Sequence, residues 1–264
     1  MRYTEINEGS MERQYNGNRR QPMEIQAAFE FVRDNCSSAY DTDPIYRGAK
    51  SRGVGDGPMF VDTMTGSKRE SANTKSYVGI LMDNLPSWKD YPKRSRSLIC
   101  TNDPSYAANY GSIYRVFPVN GTKVGVCQDS DLWYSFGKFR SVPNFNAALD
   151  FLSEKLLDAP LSENPAEFFK QIDLITEHLD QIGGFGSVSN NNILKNLVSV
   201  SNELKTNDMK TILAALTEPR INGFILTTVE NLSLPGNNEV WLAGKAVLIP
   251  MGMMSKLDEF MKAE

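Results

Sequence analysis

The chain has 264 residues, with 28 Lys and Arg against 32 Asp and Glu, a net charge of -4, and 41% apolar residues, enough to bury a full core as one large or two small domains. The acidic balance excludes a surface built throughout to neutralise nucleic acid and leaves room only for a local basic patch. Three cysteines without CxxC spacing and a single histidine speak against a disulfide-stapled secreted domain and against common zinc sites, and no apolar run nears the roughly 18 residues that span a bilayer. The expectation is a cytoplasmic protein, in its own cell or a host's, with no metal and no membrane partner.

In chain order, residues 1–22 are polar, carry no apolar leader core and read as an N-terminal arm. MEIQAAFEFVRDN, from Met23 to Asn35, sets Ile25, Phe29 and Phe31 or Val32 on a helical stripe. Asp43-Pro44 opens a short strand, PIYRG, closed by Gly48. Residues 49–76, rich in Gly, Ser, Lys, Arg and Thr, read as a long surface loop with Met59, Phe60, Val61 and Met64 as its apolar anchors, and loops of this length are often functional. Ser76–Leu85 fits a short helix or a strand, and Pro86–Pro92 is a turn-rich connection.

Arg94–Val126 reads as strand, polar turn, short helix begun by Pro104, strand, and a Gly-Thr turn into another strand. This order of elements can hold a dinucleotide in a cleft without a glycine-rich phosphate loop. From Asn144 to about Thr217 the period becomes helical, in four amphipathic segments separated by Ala-Pro, Gly-Gly-Phe-Gly and Thr-Asn-Asp. Strand character returns at GFILTTVENL and, after Pro235-Gly236-Asn237-Asn238, in EVWLAGKAVLIPM; SKLDEFMKAE suggests a terminal helix.

Three separated pieces carry a resemblance when taken together: Tyr46-Arg47-Gly48, the stretch from Ser95 through Ala107-Ala108-Asn109-Tyr110 to Pro118-Val119-Asn120-Gly121-Thr122, and Glu239-Val240-Trp241-Leu242. Their order and residue types resemble the ADP-ribosyltransferases of the arginine, serine, glutamate class, which include bacterial toxins and phage enzymes. The resemblance covers about half the chain. It implies an α+β fold: a mixed, mainly antiparallel β core formed by residues 23–142 and 219–264, with residues 143–218 as a helical insert. It also implies NAD as substrate, release of nicotinamide, and transfer of ADP-ribose to a macromolecular acceptor, a protein first, with hydrolysis to water as a variant.

Cleavage of the nicotinamide–ribose bond makes an oxocarbenium-like centre that a fixed carboxylate stabilises; the resemblance gives that role to Glu239. It gives Arg47, whose planar fork pairs with pyrophosphate, to the cofactor. The orienting hydroxyl is Ser95 or Ser97 if aligned by serine spacing, and Thr101 if aligned by distance to the helix. Tyr106, Tyr110 and Trp133 are candidates to stack on nicotinamide. All these groups must converge on one cleft. Asn237 stands where arginine-modifying members carry a second glutamate, and an asparagine is no general base, so another acceptor or water is implied; Glu230 is a conceivable substitute.

Plainer readings stand beside these. Arg47 could be a strand-end charge, Glu239 an exposed turn carboxylate, Cys100 a core residue and His178 a helix-surface residue. The cluster Lys89, Lys93, Arg94 and Arg96, interleaved with Trp88 and Tyr91, would suit a nucleic-acid-binding module. A chain that keeps the fold without activity and binds a partner through its helices is the third alternative.

Overall fold

The computed structural model describes residues 20–49, 57–65, 75–132, 134–137, 142–188 and 192–263. Its strands are β1 (Arg20–Pro22), β2 (Ile45–Ala49), β3 (Met59–Asp62), β4 (Leu98–Thr101), β5 (Ser112–Pro118), β6 (Lys123–Val126), β7 (Ile225–Thr228), β8 (Glu239–Leu242) and β9 (Lys245–Pro250). Its α-helices are α1 (Ile25–Asn35), α2 (Ser37–Asp41), α3 (Tyr77–Asn84), α4 (Pro104–Ala108), α5 (Val142–Leu157), α6 (Pro165–Gln181), α7 (Lys195–Leu204), α8 (Met209–Leu216) and α9 (Met254–Lys262).

The chain forms two compact units, one from Met1–Arg69, Asp90–Asp131 and Phe224–Glu264, the other from Glu70–Lys89 and Leu132–Gly223. The first holds a single sheet ordered β1-β3-β9-β5-β2-β4-β8-β6-β7 with antiparallel pairing throughout. The protein is thus mixed α and β around a large antiparallel sheet. One apolar cluster of this unit gathers Ile45, Cys100, Tyr114, Val116, Val240, Leu242 and Leu248; a second sets Phe117, Val247 and Ile249 against Ala28, Phe29 and Val32 of α1 and Leu257 of α9. Alternate residues of β5 and β9 serve the two clusters, as the period of a strand buried on both faces requires.

The second unit is helical and takes in α3 besides the 143–218 stretch. Phe168, Ile172, Ile175 and Leu179, at helical spacing on α6, are all buried. Asn164 caps α6 by accepting from the amides of Ala166 and Glu167, and Asp208 caps α8 through Lys210. Tyr77 of α3 donates its hydroxyl to Asp150 of α5 at 2.8 Å.

Two expectations change. Within the 49–76 stretch, residues 59–62 form β3 rather than loop, because Met59 and Val61 alternate into the core and the backbone finds β9. Residues 20–22 of the polar arm form β1, paired with β3. The rest of the arm, residues 1–19, together with residues 50–56 and 66–74, Asn73 and Thr74 among them, lies outside the described residues. Ser76–Leu85, open between helix and strand, is the helix α3.

Candidate functional site

Three neighbouring strands bring residues of the motif together. Glu239 opens β8 opposite Thr101, the last residue of β4, and Thr101 is opposite Tyr46 of β2. Register partners point to the same side of a sheet, so Tyr46, Thr101 and Glu239 share a face. The helix α4 belongs to this site as well. It begins just past Thr101, where Asp103 caps it by accepting from Ser105 and Tyr106, and it runs over Gly48, where any Cβ would overlap the Ala107 carbonyl oxygen. Gly48 is therefore not a strand terminator but the point of closest helix approach.

The start of β8 is fixed from both sides. Asn102 donates its Nδ2 to the Gly236 carbonyl, and its Oδ1 accepts from the Asn238 amide at 2.8 Å. Asn238 donates its Nδ2 to the Cys127 carbonyl at 2.9 Å, and the Glu239 amide donates to the Asp129 carbonyl at 2.9 Å. A carboxylate after Pro-Gly-Asn-Asn is usually exposed; these bonds draw Glu239 inward until 9% of it remains accessible.

Its partner there is Arg94, which sits in a short 3-10 turn, Arg94–Arg96, ahead of β4. Arg94 Nη1 lies 2.5 Å from Glu239 Oε1, with both side chains nearly buried. The guanidinium carbon stands 5.6 Å from the ring centroid of Trp241. That indole is held in turn: Nε1 donates to the Pro92 carbonyl at 2.8 Å, Tyr91 stacks on it at 6.2 Å, and Gly125 opposite leaves the space a Cβ would take. Burial pulls the Arg94 pKa down, but the Glu239 carboxylate, with Cys127 and Asp131 adding to it, outweighs burial, and the net shift is upward.

Arg47 behaves differently. Alternation along β2 turns it away from Tyr46, to the side of its register partner Tyr114. β2 and β4 pair only at Tyr46 and Thr101, and beyond that pair Arg47 Nη1 donates to the Ile99 carbonyl at 2.6 Å. Arg47 and Glu239 thus project from opposite sides of the strands that carry them, contrary to the expected convergence, because one residue of offset on a strand reverses the face. Both charges are still felt at the buried Cys100 thiol, which burial pushes up to about 12, with Arg47 lowering and Glu239 raising it. Cys100 is a core residue, as its plain reading had it.

Of the hydroxyl candidates, Ser97 donates Oγ to the Lys93 carbonyl at 2.7 Å and so closes its own turn, while Ser95 lies half-buried within that turn. Thr101 is the one in register with Glu239, and its Oγ1 accepts from the Asp103 amide at 3.1 Å. Tyr110 donates to the Tyr106 hydroxyl at 3.4 Å, with the rings edge to face at 5.8 Å. Burial, followed by that hydrogen bond, raises the Tyr106 pKa, and the Glu239 charge adds to it. Trp133 lies outside the described residues. Glu230 is no second carboxylate here: it accepts from the Gly121 amide at the far end of β6, and that bond holds its pKa below the usual range.

The basic cluster is dispersed by the fold. Arg94 is buried, Trp88 is buried with Nε1 donated to the Thr217 carbonyl at 2.9 Å, and Tyr91 stacks on Trp241 and donates to the Phe224 carbonyl at 3.0 Å. The aromatic rings assumed to stack on bases are engaged inside the protein. Arg94 is the site residue missed from sequence; only the long-range pairing of β4 with β8 separates it from its exposed neighbour Lys93. No family model, curated protein or solved structure matches the chain.

Proposed function

We propose that the chain is an NAD-dependent ADP-ribosyltransferase, with the fold of that class, acting from the face formed by Tyr46, Thr101 and Glu239. The observation that carries the proposal is the buried Glu239 carboxylate, paired with Arg94 and in register with Thr101. A carboxylate paired in this way is held in place before any substrate arrives, which is what stabilising a developing oxocarbenium requires. The C1′–N bond breaks with its electron pair going to nicotinamide, which leaves neutral; the acceptor's nucleophilic atom then bonds to C1′ and loses its proton. Thr101 orients the ribose or the carboxylate, and Tyr106 and Tyr110 offer rings for the base. Arg47, on the opposite side of these strands and bonded to the Ile99 carbonyl, has no part in this reading of the site. The acceptor is a macromolecule, a protein first, and exposed Asn237 supplies no base for arginine modification.

Release of nicotinamide from NAD by the purified chain, measured with candidate acceptor proteins present, tests the proposal. Turnover should fall at least about 100-fold in Glu239→Gln, which keeps the shape and removes the charge. Absence of both turnover and NAD binding in the unaltered protein would end it. A second reading, a fold retained without activity, is favoured by the Arg94–Glu239 pair itself, since a buried pair also serves structure. NAD binding in the absence of turnover is the outcome that selects it.

A further inference from the structure

We infer that Arg94 is a positioning residue for Glu239, holding the carboxylate in one orientation so that the remaining accessible edge of the side chain meets the ribose; this rests on the NAD reading of the site. Four observations converge on it. Arg94 Nη1 contacts Glu239 Oε1 at 2.5 Å, and 12% of the Glu239 side chain stays accessible, so the pair leaves an approach. The guanidinium cannot follow a moving carboxylate, because it rests on Trp241, which is fully buried, stacked on Tyr91 and bonded to Pro92. Arg94 also heads the turn that leads into β4, whose far end supplies Thr101, so one segment carries both groups that face Glu239. Lastly, the backbone on either side of Glu239 is pinned by Asn102, Asn238 and Asp129, which leaves the side-chain torsions as the freedom that Arg94 removes.

An arginine suits this work because its planar fork fixes direction, where a lysine would supply charge alone. The inference therefore separates orientation from charge and can be tested on that distinction. Arg94→Lys retains the charge, so NAD should bind with KM within about twofold of the parent, while kcat falls about 10- to 100-fold from the looser carboxylate. Arg94→Met removes both contributions and should lose more. In nitrogen-15 spectra of the full chain, Arg94 should give slowly exchanging guanidinium protons that are lost in Glu239→Leu, where no acceptor remains, a signal independent of turnover. Full kcat in Arg94→Lys would overturn the positioning role and leave the NAD reading standing. Absence of the slow protons in the parent would overturn the pair itself. Slow protons that behave as expected in a chain releasing no nicotinamide would instead remove the NAD reading and leave the clamp on Glu239 in place. If Arg94→Met fails to fold, the lysine variant and the spectra decide alone.

Discussion

Removing one member of the Arg94–Glu239 pair should cost far more than removing both. At an effective dielectric near 20, charge centres about 4 Å apart attract by about 4 kcal/mol, and taking each ion out of water costs several kcal/mol. The intact pair, with its side chains only 10% and 12% accessible, therefore comes out near balance. Glu239→Leu leaves the Arg94 guanidinium buried against Trp241 without its counter-charge and should destabilise the sheet unit by about 3–5 kcal/mol. Glu239→Gln keeps an acceptor oxygen and should cost less, about 1–3 kcal/mol. The double variant Arg94→Met with Glu239→Leu packs two apolar chains of similar volume in the same place and should return to within about 1 kcal/mol of the parent. Arg94→Met, which strands the carboxylate, should cost a similar amount, so the coupling energy of this cycle should exceed the usual range, at about 5 kcal/mol or more. Because the chain has two units, the measurement should be local: native-state hydrogen exchange of β4 and β8 amides, with urea unfolding alongside. A Glu239→Leu cost below about 1 kcal/mol, or additive single changes, would show that the pair is hydrated in solution rather than buried.

Further outcomes follow from the same contacts. Gly48→Ala puts a Cβ into the Ala107 carbonyl, a backbone atom that cannot rotate away, and should cost about 1–3 kcal/mol or more, read as a lowered Tm. Asn102→Ala frees the turn before Glu239 and should lower kcat for nicotinamide release more than it raises KM, whereas equal effects on both would mean that the turn is not held by Asn102. The buried thiols Cys36, Cys100 and Cys127 should ignore a thiol reagent in the native protein and react fully in denaturant. Burial raises the folded pKa of Cys36 and Cys100 to about 12 from 9.0, so their contribution to stability is complete below pH 9 and is lost as pH rises from 9 through 12. Substituting either by Ala should flatten that alkaline loss; an unchanged alkaline profile would place the titration elsewhere.

Local pattern carried much of the fold. The helix whose stripe buries Phe29 and Val32 but leaves Ile25 exposed, the proline-led start of α4 and the apolar runs around Gly121 and Gly244 each became the expected element, because each depends on periods and turn chemistry within a few residues. The segment 59–62 failed that test: four residues among Gly, Ser and Thr are too short to signal, and β3 exists because β9 lies beside it. Unit membership of α3 was equally hidden, since its tie to Asp150 spans 73 residues of chain.

The candidate site divides along the same line. Which residue types were needed could be read locally, but which of them meet is decided by register, and one residue of offset on β2 suffices to send Arg47 to the side opposite Thr101 and Glu239. Register also settles which hydroxyl stands opposite the carboxylate: Thr101 rather than Ser97, whose Oγ is committed to the Lys93 carbonyl. The same pairing turns a basic run that looked solvated into one buried arginine and its more exposed neighbours, because an arginine beside a sheet that supplies both a carboxylate and an indole has better partners than water. The negative charge at Glu239 and the positive charge at Arg94 thus depend on each other for their burial. A substrate whose cleavage generates positive charge at that carboxylate meets a site where the charge has already been fixed in place by folding.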